Sequence, residues 1–146
     1  MPPRMSLGPA IATIANEALR ERGHANVFLV GRAGVGKSTL INAVFDGNLA
    51  RVGQGRPVTR QTRVYSRPGI PLSLYDNRGI EMAEFEAIMA DQERFIRQAN
   101  HDSDANRHIH VGWICIPEDL RRVEDAEIDM ARMLARHMPV IAVITK

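Results

Sequence analysis

Gly31-Arg32-Ala33-Gly34-Val35-Gly36-Lys37-Ser38 has the spacing G-x-x-x-x-G-K-[ST], a pattern whose residue types suit the holding of a polyphosphate. Glycines let consecutive backbone N–H groups turn inward around the α- and β-phosphates, and the positive end of a following helix adds to that field. Lys37 is placed to reach the β- and γ-phosphates and the Ser38 hydroxyl to hold Mg²⁺. A second cluster is Asp76-Asn77-Arg78-Gly79: an acidic residue at a strand end can hold Mg²⁺ through its water shell, and the Gly79 N–H can meet a γ-phosphate. Mg²⁺ demands near-octahedral oxygen ligation, so a threonine from the polar stretch 49–61 should complete the set. Thr59 is preferred over Thr62, and Ser38, Thr59 and Asp76 are the expected metal residues.

These residues need a scaffold, and the pattern around them supplies one. Val27 to Val30 is apolar and β-prone, within a strand expected over about Asn26–Val30, and Leu40, Ile41, Val44 and Phe45 recur at helical spacing after the loop. Arg63–Arg67 and Leu72–Tyr75 read as short strands joined through Pro68-Gly69-Ile70-Pro71, a connection that suits an antiparallel hairpin. Glu81–Gln98 reads as a helix with Met82, Phe85, Ile88, Met89, Phe95 and Ile96 inward, and 100–107 as a polar loop. His110–Ile116 is a strand, Glu124–His137 a helix and Pro139–Thr145 a last strand. Alternating strands and helices with near-continuous apolar strands predict an α/β fold: a three-layer sandwich with a mostly parallel sheet and one antiparallel strand. Residues 1–24 form an N-terminal segment with an amphipathic helix over Pro9–Arg22, and 25–146 the nucleotide-binding part.

With 146 residues, 45% hydrophobic and 25% charged, the chain suits one globular domain. A net charge of +2 gives no direct nucleic-acid signal. Arg51, Arg56, Arg60, Arg63 and Arg67 read as a solvated loop rather than a partner-binding patch. A single cysteine, Cys115, cannot close an internal disulfide, and its apolar neighbours make it a packing residue in a cytoplasmic protein. No stretch approaches the roughly 18 apolar residues of a membrane span. His101, His108 and His110 lack zinc-site spacing and read as loop residues; Trp113, Met130, Met133 and Met138 read as core.

Gly31 to Ser38, Pro57-Val58-Thr59-Arg60 and Asp76 to Gly79, in this order, resemble the first three motifs of a translation-factor-class GTPase, and are most similar to the bacterial Era/TrmE/Der-like group. The resemblance spans about residues 25–146 and implies binding of GTP and GDP with Mg²⁺, with Gly34 to Thr39 on the phosphates and the stretches 49–61 and 76–86 as switches. It also implies a ribosome or a membrane surface as partner, without indicating an oligomeric state. Guanine selection in the family rests on [NT]-K-x-D; Thr145 and Lys146 match its first two positions and the sequence stops before the aspartate. The expectation is therefore a truncated domain lacking its C-terminal strand and helices, with the last strand left as an apolar edge. Where familiar GTPases place a water-orienting glutamine after D-x-x-G, this chain has Ile80, so no catalytic residue is named. The leading expectation is a switch with slow hydrolysis. A non-hydrolysing nucleotide-binding interaction module and an ATP-using P-loop protein are the alternatives.

Overall fold

Phe28, Leu29 and Val30 are fully buried, which requires cover on both faces of the strand that carries them. That strand is β1 (Ala25–Val30), and five more follow: β2 (Arg56–Pro57), β3 (Thr62–Ser66), β4 (Leu72–Asn77), β5 (Val111–Pro117) and β6 (Val140–Thr145). The structure, a computed structural model, describes residues 23–32, 34–47, 55–79, 81–118 and 124–145, with the backbone alone at Met82. The expected helix Pro9–Arg22, Arg51, and the single residues Ala33, Ile80 and Lys146 lie outside the described residues.

The sheet order is β2-β3-β4-β1-β5-β6. β1 runs parallel to β4 and β5, and β5 to β6. Only β3 runs the other way, antiparallel to both β2 and β4. The expected α/β architecture, mostly parallel with one antiparallel strand, is the one observed.

Side-chain alternation along β1 separates two cores. Val27 and Leu29 join Ile41 and Phe45 of helix α1 (Lys37–Phe45), together with Tyr65, Leu74 and Cys115. Phe28 and Val30 face the other way, towards Ile88 and Ile96 of helix α2 (Phe85–Asn100) and Met130, Met133 and Leu134 of helix α3 (Asp125–Ala135). The Phe95 ring stacks on Phe28 at 6.0 Å, with Tyr75 tilted beside it at 5.9 Å. One helix on one face and two on the other make the three layers.

Four details depart from the pattern-based reading. β2 is additional: its two residues include Pro57, which lacks an N–H and is tolerated there because β2 ends the sheet. The helix expected from Glu81 opens as a 3₁₀ turn at Met82–Glu84 before α2 begins. Gln92 occupies the inner stripe of α2, buried with no partner for its amide. Trp113 is only half-buried, packed against the α1-side core.

At the opposite edge from β2, β6 exposes Ile141 and Ile144, the second at 62%, so among the described residues the last strand is the apolar edge expected of it. The histidines behave as loop residues. His110 Nδ1 accepts from the Asn26 N–H at 2.8 Å and His108 Nε2 lies 2.6 Å from the Asp102 carbonyl; no metal-holding cluster occurs among the described residues. Arg63 donates to the Gly55 carbonyl, and Arg67 caps the carbonyls of Phe45 and Asp46 at the C-terminus of α1.

Candidate functional site

After Val30 the chain must turn against the floor of the sheet, and only a residue without a side chain fits. A Cβ on Gly31 would lie 2.7 Å from Val35 Cγ2 and 3.3 Å from both the Cβ and the carbonyl oxygen of Cys115. Gly34 and Gly36 take φ of +80° and +90°, which L-residues rarely adopt. Val35 is buried between them and pins the loop to the core. Helix α1 then begins at Lys37, its first ladder bond running from Leu40 N–H to the Gly36 carbonyl at 3.1 Å. No side chain caps this terminus and no acidic residue lies in its first turn, so its amides and positive dipole end remain available to an anion. Gly36→Ala should cost about 1–2 kcal/mol from the left-handed backbone alone. A lower urea midpoint together with weakened binding of fluorescent GDP would check it.

Register brings the second cluster alongside. Asp76 pairs with Leu29 across β1 and β4, so 31–38 and 76–79 leave the same carboxyl edge of the sheet, where ligands of such sheets collect. Burial raises the Asp76 carboxyl above its ordinary value, and the nearby Lys37 ammonium pulls it partly back. The same two charges reach the Cys115 thiol behind the loop, which burial pushes up to about 11, so this cysteine is inert packing, as expected. Asp76 Oδ1 is buried without a hydrogen-bond partner. An orphaned carboxylate oxygen beside a helix turn that presents the exposed Ser38 fits a hard cation with oxygen ligands.

Thr59 and Thr62, the two threonine candidates, are sorted by their partners. Thr62 is buried and donates its hydroxyl to Asn77 Oδ1 at 2.7 Å. Thr59 is exposed, its hydroxyl accepting the N–H groups of Gln61 and Thr62 at 3.0 Å each in a turn of its own loop. Asn77 is wholly buried and also donates to the carbonyls of Leu29 at 3.0 Å and Tyr75 at 3.2 Å, tying β1, β3 and β4 together. The Arg78 N–H donates to the Gln61 carbonyl at 2.7 Å, joining the approach to Gly79 to the threonine loop. Asn77→Ala should strand the Thr62 hydroxyl and cost about 1–3 kcal/mol, read as a lower chemical-denaturation midpoint.

Two residues expected at the nucleotide also have side chains that hold the loop through protein contacts. Thr145 donates its hydroxyl to the Val35 carbonyl, linking β6 to the phosphate loop. Arg32 turns its side chain to α3, contacting Glu127 Oε1 at 2.7 Å and Glu124 Oε2 at 3.2 Å. Neither Asn77 nor Glu127 was singled out by the sequence reading. The available signal was slight: a carboxylate on the apolar stripe of a helix for Glu127, and none for Asn77, which lies between Asp76 and Arg78.

The model of a family described as 50S ribosome-binding GTPase matches residues 26–146. No curated protein matches the chain. Among solved structures, a probable GTP-binding protein engB aligns with a TM-score of 0.57 at 20% identity, over 82% of this chain and 70% of that one. Cdc11 from Saccharomyces cerevisiae aligns with a TM-score of 0.48 at 19% identity, over 84% of this chain and 52% of its own. A septin GTPase domain from Chlamydomonas reinhardtii gives 0.46 at 17%, over 83% and 52%. The chain thus spans about half the length of these last two, and at 20% identity the likeness to the first is one of fold.

Proposed function

The chain belongs to the 50S ribosome-binding GTPase family, and from that premise we propose that it is a Mg²⁺-dependent, GTP-binding molecular switch with slow intrinsic hydrolysis. The observation that carries this reading is Lys37 within electrostatic reach of Asp76, whose Oδ1 is buried without a hydrogen bond, at the carboxyl edge of β1 and β4 and beside an uncapped helix terminus.

Amides of Gly34 to Thr39 would surround the phosphates, with Lys37 balancing charge on the β- and γ-oxygens as it grows during transfer to water. Ser38, Thr59 and Asp76 would hold Mg²⁺, which supplies further neutralisation of the phosphate oxygens when bound. Gly79 would offer its N–H to the γ-phosphate. The Arg78–Gln61 and Thr62–Asn77 hydrogen bonds support joint movement of the two loops, because a pull on Gly79 is transmitted to the stretch bearing Thr59. Within the family, the order of motifs favours the Era/TrmE/Der-like group. A ribosomal surface is the partner class that the family description suggests.

Ile80 favours a second reading, a nucleotide-binding module that does not hydrolyse, because an aliphatic side chain cannot orient the attacking water. Phosphate release from GTP in the presence of Mg²⁺ separates the two. Slow turnover that disappears in Lys37→Ala supports the switch, and binding with no Lys37-dependent turnover supports the module. Displacement of fluorescent GDP by unlabelled GDP but not ADP is the expected base preference; equal displacement would favour a P-loop protein that uses ATP.

A further inference from the structure

Arg32 stands at a variable position of the phosphate-binding pattern, yet it is the loop residue whose side chain is most firmly committed. Its Nε lies 2.7 Å from Glu127 Oε1 and its Nη1 3.2 Å from Glu124 Oε2, so one guanidinium bridges two carboxylates at the start of α3. A planar fork presents its donors in a fixed geometry towards two acceptors, whereas an ammonium is a point charge with freely rotating donors.

Glu127 is the unexpected partner. It is 1% exposed, in a helix whose other buried residues are Ala126, Met130, Met133 and Leu134. Neither of its oxygens receives a well-aligned hydrogen bond, so the contact with Arg32 is chiefly one of charge. Burying a carboxylate is costly, and an apolar side chain of similar volume there would usually serve stability as well or better. Packing therefore does not explain an acid at this position, whereas a need to fix Arg32 does.

We propose that Arg32 is a positioning residue of the phosphate loop, clamped by Glu127 and Glu124, and that this clamp sets how long the loop retains its nucleotide. The proposal rests on the nucleotide-binding reading above. The loop is fastened at two points, through the Arg32 side chain to α3 and through the Val35 carbonyl to Thr145. Between and beyond them lie Gly34 and Gly36, the residues with the most backbone freedom. Releasing the Arg32 point lowers the fraction of chains whose amides are already arranged for phosphate, and apparent affinity falls with that fraction.

The test measures dissociation of fluorescent GDP from the full chain carrying Arg32→Met, Glu127→Met, both together, or Arg32→Lys, alongside thermal midpoints. Each single methionine variant should release the nucleotide about tenfold faster, equivalent to about 1.4 kcal/mol, and Arg32→Lys should fall between them and the parent. The double variant carries neither buried charge, so its thermal midpoint should recover while its release stays fast. A double variant that recovers both would show a purely structural ion pair and overturn the proposal. Should Glu127→Met fail to fold, Glu124→Gln at the more exposed partner should still accelerate release; parental rates there and in Arg32→Met would overturn it. If the parent binds no more fluorescent GDP than Lys37→Ala, the nucleotide-binding reading falls and this inference falls with it. Binding that depends on Lys37 but is indifferent to Arg32 and Glu127 sinks the inference alone.

Discussion

Lys37→Ala should lose nucleotide binding and keep its fold. Among the described residues no hydrogen bond or ion pair holds the Lys37 side chain; its influence is felt electrostatically at Asp76 and Cys115. The fold therefore depends little on this ammonium, whereas a bound polyphosphate would depend on it heavily. Removing one partner of a close, desolvated charge pair costs about 2–5 kcal/mol, which is about 30-fold to several-thousand-fold in affinity. Titration of fluorescent GDP against parent and variant measures this directly, with circular dichroism and a thermal midpoint as the folding control. Unchanged affinity in a folded Lys37→Ala protein would remove the basis for assigning Gly31–Thr39 to phosphates.

The parts legible in the sequence are those fixed by local chemistry. The turn at Gly31 follows from the approach of Val35 and Cys115, and the positive φ at Gly36 from the start of α1, so glycines at those spacings announce the loop. Alternation of Val27 and Leu29 against Phe28 and Val30 likewise encodes a strand covered on both faces. What stayed hidden depends on long-range pairing. Nothing near Arg32 indicates that its charge is met by residues of α3, with Glu124 92 positions away. Asn77 sits inside a D-x-x-G pattern whose middle positions carry no rule, so its bonds to Leu29 and Thr62 emerge only once β1, β3 and β4 are aligned. Thr145 is instructive in another way. Resemblance places it with the nucleotide, and the fold places its hydroxyl on the Val35 carbonyl of the glycine loop. In each case the sequence reading located the neighbourhood, while the partner depended on tertiary register.

Asp76→Asn separates the cost of the site from its purpose, and two measurements should move in different directions. Without metal, burial holds the Asp76 carboxyl above its ordinary value, with Lys37 only partly offsetting this. Between the unfolded and the raised folded pKa the folded chain binds more protons than the unfolded one, so metal-free stability falls as pH rises through that window. Asparagine does not titrate, so this part of the pH slope should vanish. At neutral pH the metal-free variant should melt no lower than the parent, because a carboxylate with one buried oxygen lacking a hydrogen bond, its charge only partly offset by Lys37, has been replaced by a neutral amide. A divalent cation reverses the balance, since it favours the charged oxygen that burial disfavours. Mg²⁺ should therefore tighten nucleotide binding strongly in the parent and about 10- to 100-fold less effectively in the variant, the usual penalty for losing a group that orients the metal's ligands. Thermal melts across pH without metal, paired with fluorescent-GDP titrations at several Mg²⁺ concentrations, supply both readouts. A variant that melts lower yet responds to Mg²⁺ as the parent does would make Asp76 a structural acid, and the cation would have to be sought elsewhere.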